Sequence, residues 1–127
     1  MNVQKWVKFL FIVAGVYDGV LGILFLTAPI QLFNAANVTP PNHIGYVQFP
    51  GMLLIVFAIM FFKIAKNPMA NRDLILYGIL LKFSYCSVVF SHWFLDSIPS
   101  IWVLFAFLDL GFLIAFVVTH KALKQTA

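Results

Sequence analysis

The sequence predicts an all-α polytopic membrane protein with four transmembrane helices in an up-and-down bundle. Of its 127 residues, 63% are hydrophobic and only 9% are charged, and glutamate is absent. A soluble domain is about half apolar and roughly a quarter charged, so this composition excludes an ordinary soluble fold. Apolar stretches long enough to cross a hydrocarbon core of about 30 Å fill nearly the whole sequence. We therefore expect a single transmembrane domain over residues 1–127.

The first two helices are predicted over residues 6–28 and 45–62. The first helix ends before Pro29, because proline has no N–H group for the next helical hydrogen bond. A polar loop follows and leads to the second helix. Pro50 lies near the start of that helix, where proline is tolerated or bends the chain.

The third and fourth helices are predicted over residues 73–94 and 99–119. A short basic turn precedes the third helix, and Asn71 is the expected cap. Pro99 opens the fourth helix, since the first position of a helix needs no backbone donor. Because the connections are short, consecutive helices are expected to run in opposite directions.

The basic residues indicate how the bundle is oriented. All lysines and arginines except Lys82 lie at or beyond the ends of the predicted helices, on one side of the membrane, and the first and third connections contain none. The positive-inside rule therefore places both termini in the cytoplasm, and we expect the cytoplasmic membrane of a prokaryote. These residues flank apolar segments and form no patch with stacking aromatics, which excludes nucleic acid as a partner. They are Lys5, Lys8, Lys63, Lys66, Arg72, Lys121 and Lys124.

Three ionisable residues, Asp18, Lys82 and Asp109, lie inside the predicted helices. With a rise of about 1.5 Å per residue, each lies roughly 14–18 Å from the start of its helix, near the middle of the bilayer. An unpaired charge at that depth costs about 2.5–3.5 kcal/mol. The three side chains are therefore predicted to point into the bundle and to meet.

Small residues surround Asp18 on the first helix. Gly15 and Gly22 lie three and four positions from it on the same helical face, and they allow a neighbouring helix to approach closely. Gly15 and Gly19 also form a GxxxG pattern, which is typical either of ordinary helix packing or of a homodimer. Tyr17 adds a hydroxyl group near the depth of Asp18.

On the third helix, Lys82, Tyr85, Val89 and His92 recur at intervals of three and four residues and form one stripe. Two interpretations fit it. The stripe is a polar track from the midplane to the outer surface, or Lys82 links the two aspartates while Tyr85 and His92 bond at their own depths. Two acids and one base leave excess negative charge, which requires a proton, a cation or a polar ligand group.

No motif in the sequence specifies a catalytic site, and we predict no catalytic residue. The single Cys86 excludes an internal disulfide or a dithiol site. His43, His92 and Asp96 lie near the predicted outer face, but their spacing matches no metal motif, so no metal site is predicted. No cofactor is identified, and enzyme activity is the less expected class.

The order of a glycine-rich first helix ending in proline, a polar outer loop, a basic inner turn and two further helices resembles the DoxX-like small four-helix membrane proteins. The segments that carry the resemblance are GVYDGVLGILFLTAP, residues 15–29, and NPMANRDLILYGILLK, residues 67–82. Some members of that group are associated with quinone-linked sulfur oxidation. The resemblance therefore implies a lipophilic, quinone-like ligand, and it assigns no catalytic residue in this chain.

Three functions fit these features. The first is binding or carrying a lipophilic or amphipathic small molecule, whose polar group meets Asp18, Lys82 and Asp109 between phenylalanine-rich walls. The second is a non-catalytic accessory subunit, in which the charges lock the helices and the apolar outer faces dock onto a larger membrane complex. The third is an oligomeric proton-coupled transporter, which uses a titratable midplane carboxylate and requires at least a dimer.

Overall fold

The computed structural model describes residues 2–126, the side chain of Thr126 excepted, and this part of the chain is helical without a strand. Four of its helices are long and apolar enough to cross a membrane, which confirms the predicted fold class. A single turn of 3₁₀ helix, Arg72–Leu74, precedes α4. The α-helices are α1 (Val3–Thr27), α2 (Pro29–Ala35), α3 (Gly45–Lys66), α4 (Ile75–Leu95) and α5 (Ser100–Thr126).

The first helix ends where the sequence predicts, but a short helix that was not predicted follows it. Asn2 caps the start of α1, where its side-chain oxygen accepts the Lys5 N–H at 2.8 Å. Pro29 stops α1 and then occupies the first position of α2. Proline is favoured there because that position needs no N–H donor. The polar loop therefore starts after Ala35.

Asn71 caps a different helix from the one predicted. Its side chain makes no capping bond at the start of the next helical turn. Its Nδ2 group donates to the carbonyl oxygens of Lys63 and Asn67, each at 3.0 Å. These carbonyls belong to the end of α3, where backbone acceptors lack helical donors. Asn71 therefore ties the turn between α3 and α4 to the end of α3.

The last helix runs beyond its predicted end at residue 119, through Thr126. Leu123 in this extension is fully buried and joins a core cluster with Val7 of α1. The extra turns thus bury apolar surface even though polar residues surround Leu123 in the sequence. The same cluster places the start of α1 and the end of α5 at one end of the bundle, which we call the terminal end.

The four long helices associate as two pairs, α1 with α3 and α4 with α5. Three phenylalanines join the pairs near the terminal end. The rings of Phe11 and Phe116 are stacked with centroids 4.6 Å apart, and Phe61 lies 5.3 Å from Phe116 and 5.7 Å from Phe11. Aromatic contacts of this kind add stability beyond the area that they bury.

Glycines set the close approach of α1 to α3. A Cβ atom added at Gly22 would lie 2.6 Å from the carbonyl oxygen of Gly51. Gly15 and Gly19 face the same helix, since a Cβ at Gly15 would meet the Phe62 ring and one at Gly19 would lie 3.4 Å from Ala58. The GxxxG face therefore packs within the chain.

Candidate functional site

The structure brings the three predicted ionisable residues together. Lys82 Nζ on α4 lies 2.9 Å from Asp18 Oδ1 on α1 and 3.1 Å from Asp109 Oδ1 on α5. Asp18 and Lys82 are each 1% exposed, and Asp109 is 8% exposed. The predicted convergence within the bundle is confirmed, and one ammonium bridges both carboxylates.

Helical periodicity places each charge on the buried face of its helix. On α1, Asp18 shares that face with Ala14 and Gly22, four residues before and after it. On α4, Lys82 lies between Gly78 and Cys86 at the same spacing. Residues four apart lie on one side of a helix. A charged residue on the apolar face that packs into the bundle is therefore buried together with that face.

Aromatic rings surround the Lys82 ammonium as well. Its Nζ atom lies 5.1 Å from the ring centroid of Phe112, 5.2 Å from that of Tyr17 and 5.9 Å from that of Phe61. At these distances the ring faces attract a cation electrostatically. The ammonium is therefore stabilised by aromatic faces in addition to the two carboxylates.

Two buried polar atoms in this cluster have no hydrogen-bond partner among the described residues. They are the second carboxylate oxygen of Asp18, Oδ2, and the hydroxyl oxygen of Tyr17. Most buried polar atoms in proteins are hydrogen-bonded, because an unpaired one forfeits its bonds to water. These two buried atoms are an acceptor, Asp18 Oδ2, and a group that both donates and accepts, the Tyr17 hydroxyl.

The hydroxyl group of Tyr85, unlike that of Tyr17, has a hydrogen-bond partner in the described part of the chain. This hydroxyl donates to the carbonyl oxygen of Trp102 at 3.0 Å. The thiol of the next residue, Cys86, donates to the carbonyl oxygen of Ala106 at 3.4 Å. Both bonds connect α4 to α5, so the Tyr85 hydroxyl is already engaged in holding this helix pair together.

A cavity of about 240 Å³ lies beside the charged cluster. All four long helices contribute to its lining, and the polar groups on its wall are those of Asp18, Lys82, Asp109, Tyr17 and Tyr85. The rest of the lining is apolar, with aromatic rings from Phe25, Phe57, Trp102 and Phe105 among it. An apolar cavity with a few polar groups on one side is the usual form of a small-molecule site.

The apolar residues that line the cavity were not predicted, although their spacing from the aspartates indicates that they share a helical face with them. Phe105 and Trp102 precede Asp109 by four and seven residues, and both line the cavity with it. Leu21 and Phe25 follow Asp18 by three and seven residues and do the same. Residues at these intervals share a helical face, so extending each face from its aspartate identifies the wall.

Of the two interpretations of the stripe on α4, the structure supports the one in which Lys82 links the two aspartates and His92 bonds at its own depth. His92 is exposed, and its Nδ1 atom lies 3.2 Å from the Asp96 carboxylate. Val89, between His92 and the cluster, is 3% exposed and packs against Val103 and Ala106. Ten residues of α-helix rotate His92 by roughly 80° away from the direction of Lys82, which turns it out of the bundle.

Within residues 2–126, no three His, Cys, Asp or Glu side chains lie close enough together to hold a metal ion. His43 and His92 occupy separate environments. The Nδ1 atom of His43 accepts the Gly45 N–H at 3.0 Å, at the start of α3.

Comparison of the chain with protein-family models, with curated proteins and with solved structures found no match. The fold and the site together define an integral membrane protein of four spanning helices with a buried Asp–Lys–Asp cluster beside an apolar cavity.

Proposed function

We propose that this protein binds an amphipathic small molecule within the membrane, with its polar group at the Asp18–Lys82–Asp109 cluster. The observation that carries the proposal is the unpartnered pair, Asp18 Oδ2 and the Tyr17 hydroxyl, on residues that line an apolar cavity. A cluster that only locked the helices together would gain stability from satisfying every polar atom. A bound polar group would complete these bonds.

The apolar part of the ligand would lie against the aromatic wall of the cavity. Small-molecule sites typically enclose roughly 300–1,000 Å³, so a cavity of about 240 Å³ suits a small body or one end of a longer molecule. Pro50 and Leu53 line the cavity and are also exposed on α3, Leu53 at 42%. Access between these residues would lead from the hydrocarbon of the bilayer to the buried polar group.

Narrowing the cavity without changing its charge tests this function. Leu53→Trp adds an indole at the edge of the cavity and is expected to lower the bound fraction of a co-purified molecule about tenfold, because apolar volume for the ligand is lost. The measurement is native mass spectrometry after gentle extraction. Leu80→Trp is the matched control, since Leu80 on α4 is 47% exposed and lies outside the cavity lining.

A wild-type mass spectrum that shows only protein without a bound molecule would contradict the proposal. That result would favour the accessory-subunit role, in which the cluster holds the helices together and a larger membrane complex covers the apolar faces. Equal loss of the bound molecule in Leu53→Trp and Leu80→Trp would also contradict a site in this cavity.

We also propose that both termini face the cytoplasm. Four spanning helices put the two termini on one side, and the basic residues other than Lys82 lie near the helix ends on that side. A reporter that is active only outside the cytoplasm is expected to be inactive when fused to the C-terminus. The same reporter inserted at residues 40–42, before α3, should be active. The reverse pattern would contradict the orientation and the cytoplasmic-membrane location inferred from it.

A further inference from the structure

The charge of the cluster points to the class of ligand. Two carboxylates, Asp18 and Asp109, face one ammonium, Lys82, so the cluster requires one further positive charge, from a proton or from a ligand. Among the described residues, no further charged side chain lines the cavity. In a low-dielectric interior an uncompensated charge is costly, and a ligand that carries one positive charge removes that cost.

The open carboxylate atom selects in the same direction, whereas the Tyr17 hydroxyl can pair with a donor or with an acceptor. Lys82 donates to Asp18 Oδ1 and to Asp109 Oδ1. The open carboxylate atom, Asp18 Oδ2, is an acceptor and requires a donor from the ligand. Ketones, quinones and carboxylates present acceptors alone, and a neutral alcohol brings a donor without a charge. A protonated amine brings the donor and the positive charge together.

The wall of the cavity suits a cation with an apolar tail. Tyr17, Phe57, Trp102 and Phe105 contribute aromatic rings to it, and Tyr17 already lies within 5.2 Å of the Lys82 ammonium. Aromatic faces attract cations while their area contacts hydrocarbon. Building on the proposed binding function, we infer that the ligand is an amphipathic ammonium ion, a protonated primary, secondary or tertiary amine whose N–H donates to Asp18 Oδ2.

Four probes with eight-carbon chains test this inference in lipid nanodiscs: octylammonium, octanol, octanoate and 2-octanone. Binding to the wild type is measured by native mass spectrometry and corrected with empty nanodiscs, since all the probes partition into lipid. Octylammonium is expected to bind about tenfold more tightly than each of the other three, because it alone supplies both the donor and the charge. This ranking needs no variant and is independent of any effect of mutation on folding.

Asp18→Asn is expected to weaken the preference for octylammonium over 2-octanone. The asparagine oxygen can still accept from Lys82, and its NH₂ group then replaces the open acceptor with a donor. Octylammonium binding is expected to fall about tenfold, while 2-octanone, an acceptor, should gain affinity. Asp96→Asn is the matched control, because Asp96 is exposed beside His92, outside the cavity lining, and should leave all four affinities unchanged.

The outcomes separate the two proposals. Octanol or 2-octanone bound by the wild type as tightly as octylammonium would overturn the ammonium inference and leave the binding function standing. Octylammonium affinity that Asp96→Asn lowers as much as Asp18→Asn would overturn the inference as well, since binding would then follow overall charge. If no probe binds the wild type above the empty-nanodisc level and no molecule co-purifies, both proposals fail.

Discussion

Lys82→Met is expected to lower the free energy of unfolding by about 3–5 kcal/mol, the usual cost of removing one partner from a buried ion pair. The change removes the only cation that residues 2–126 place within reach of Asp18 Oδ1 and Asp109 Oδ1, at 2.9 and 3.1 Å. Two carboxylates would then face each other at the centre of the bundle without a counter-charge. Thermal unfolding in detergent, followed by circular dichroism, measures the loss.

Removing the whole cluster should cost less than removing its cation. In Asp18→Leu/Lys82→Met/Asp109→Leu no unpaired charge remains, and replacing a complete buried ion cluster by apolar residues is often neutral or stabilising. Lys66→Met, at an exposed position at the end of α3, controls for the loss of a lysine. A triple variant less stable than Lys82→Met would contradict the pairing of these charges as the reason for their burial.

The sequence predicts the four long helices and the convergence of the charges because both follow from one-dimensional quantities. Apolar length defines a membrane span, and helical rise places Asp18, Lys82 and Asp109 at similar depths. The cost of an unpaired charge in hydrocarbon then requires that they meet. Apolar length, helical rise and the cost of burying a charge do not depend on which helices are neighbours.

Features that depend on the neighbours of a helix are not predictable in this way. The pairing of α1 with α3 comes from the fit of Gly22 against Gly51, and the cavity is the space that this fit leaves beside α4 and α5. Asp18 Oδ2 and the Tyr17 hydroxyl are left unpartnered by that packing. Sequence spacing gives the face on which these residues lie but not the atoms opposite them.

Two further features are not settled by local sequence rules. Residues three or four apart lie on nearly, but not fully, the same side of a helix. Over the ten residues from Lys82 to His92 the difference in direction adds up, and His92 lies at the surface. Pro29 predicts the end of α1, but proline also suits the first turn of a following helix, and α2 starts at this residue. In both cases two physical rules apply to the same residues, and the sequence spacing alone does not show which one decides the structure.

Gly22→Ala is expected to destabilise the bundle by about 1–3 kcal/mol, the usual cost of overpacking a well-packed interior. The new Cβ would lie 2.6 Å from the Gly51 carbonyl oxygen and 3.1 Å from the Ile55 backbone nitrogen. These are backbone atoms, which cannot rotate away as a side chain does, so α1 and α3 must separate. The change is measured by thermal unfolding in the same detergent as for the Lys82 variants.

Two further glycines separate this packing cost from the intrinsic effect of alanine in a helix. Gly111 on α5 is exposed, and apart from its chain neighbours and its own helix backbone no described atom lies within 4 Å of an added Cβ, so Gly111→Ala should be neutral or stabilising by up to about 1 kcal/mol. Gly19→Ala would place its Cβ 3.4 Å from that of Ala58, an ordinary contact, and is expected to fall between the other two. Because helix propensity acts at all three positions, the difference between Gly22→Ala and Gly111→Ala isolates the cost of separating α1 from α3. Equal melting temperatures for these two variants would show that the Gly22–Gly51 approach does not control the pairing of the helices.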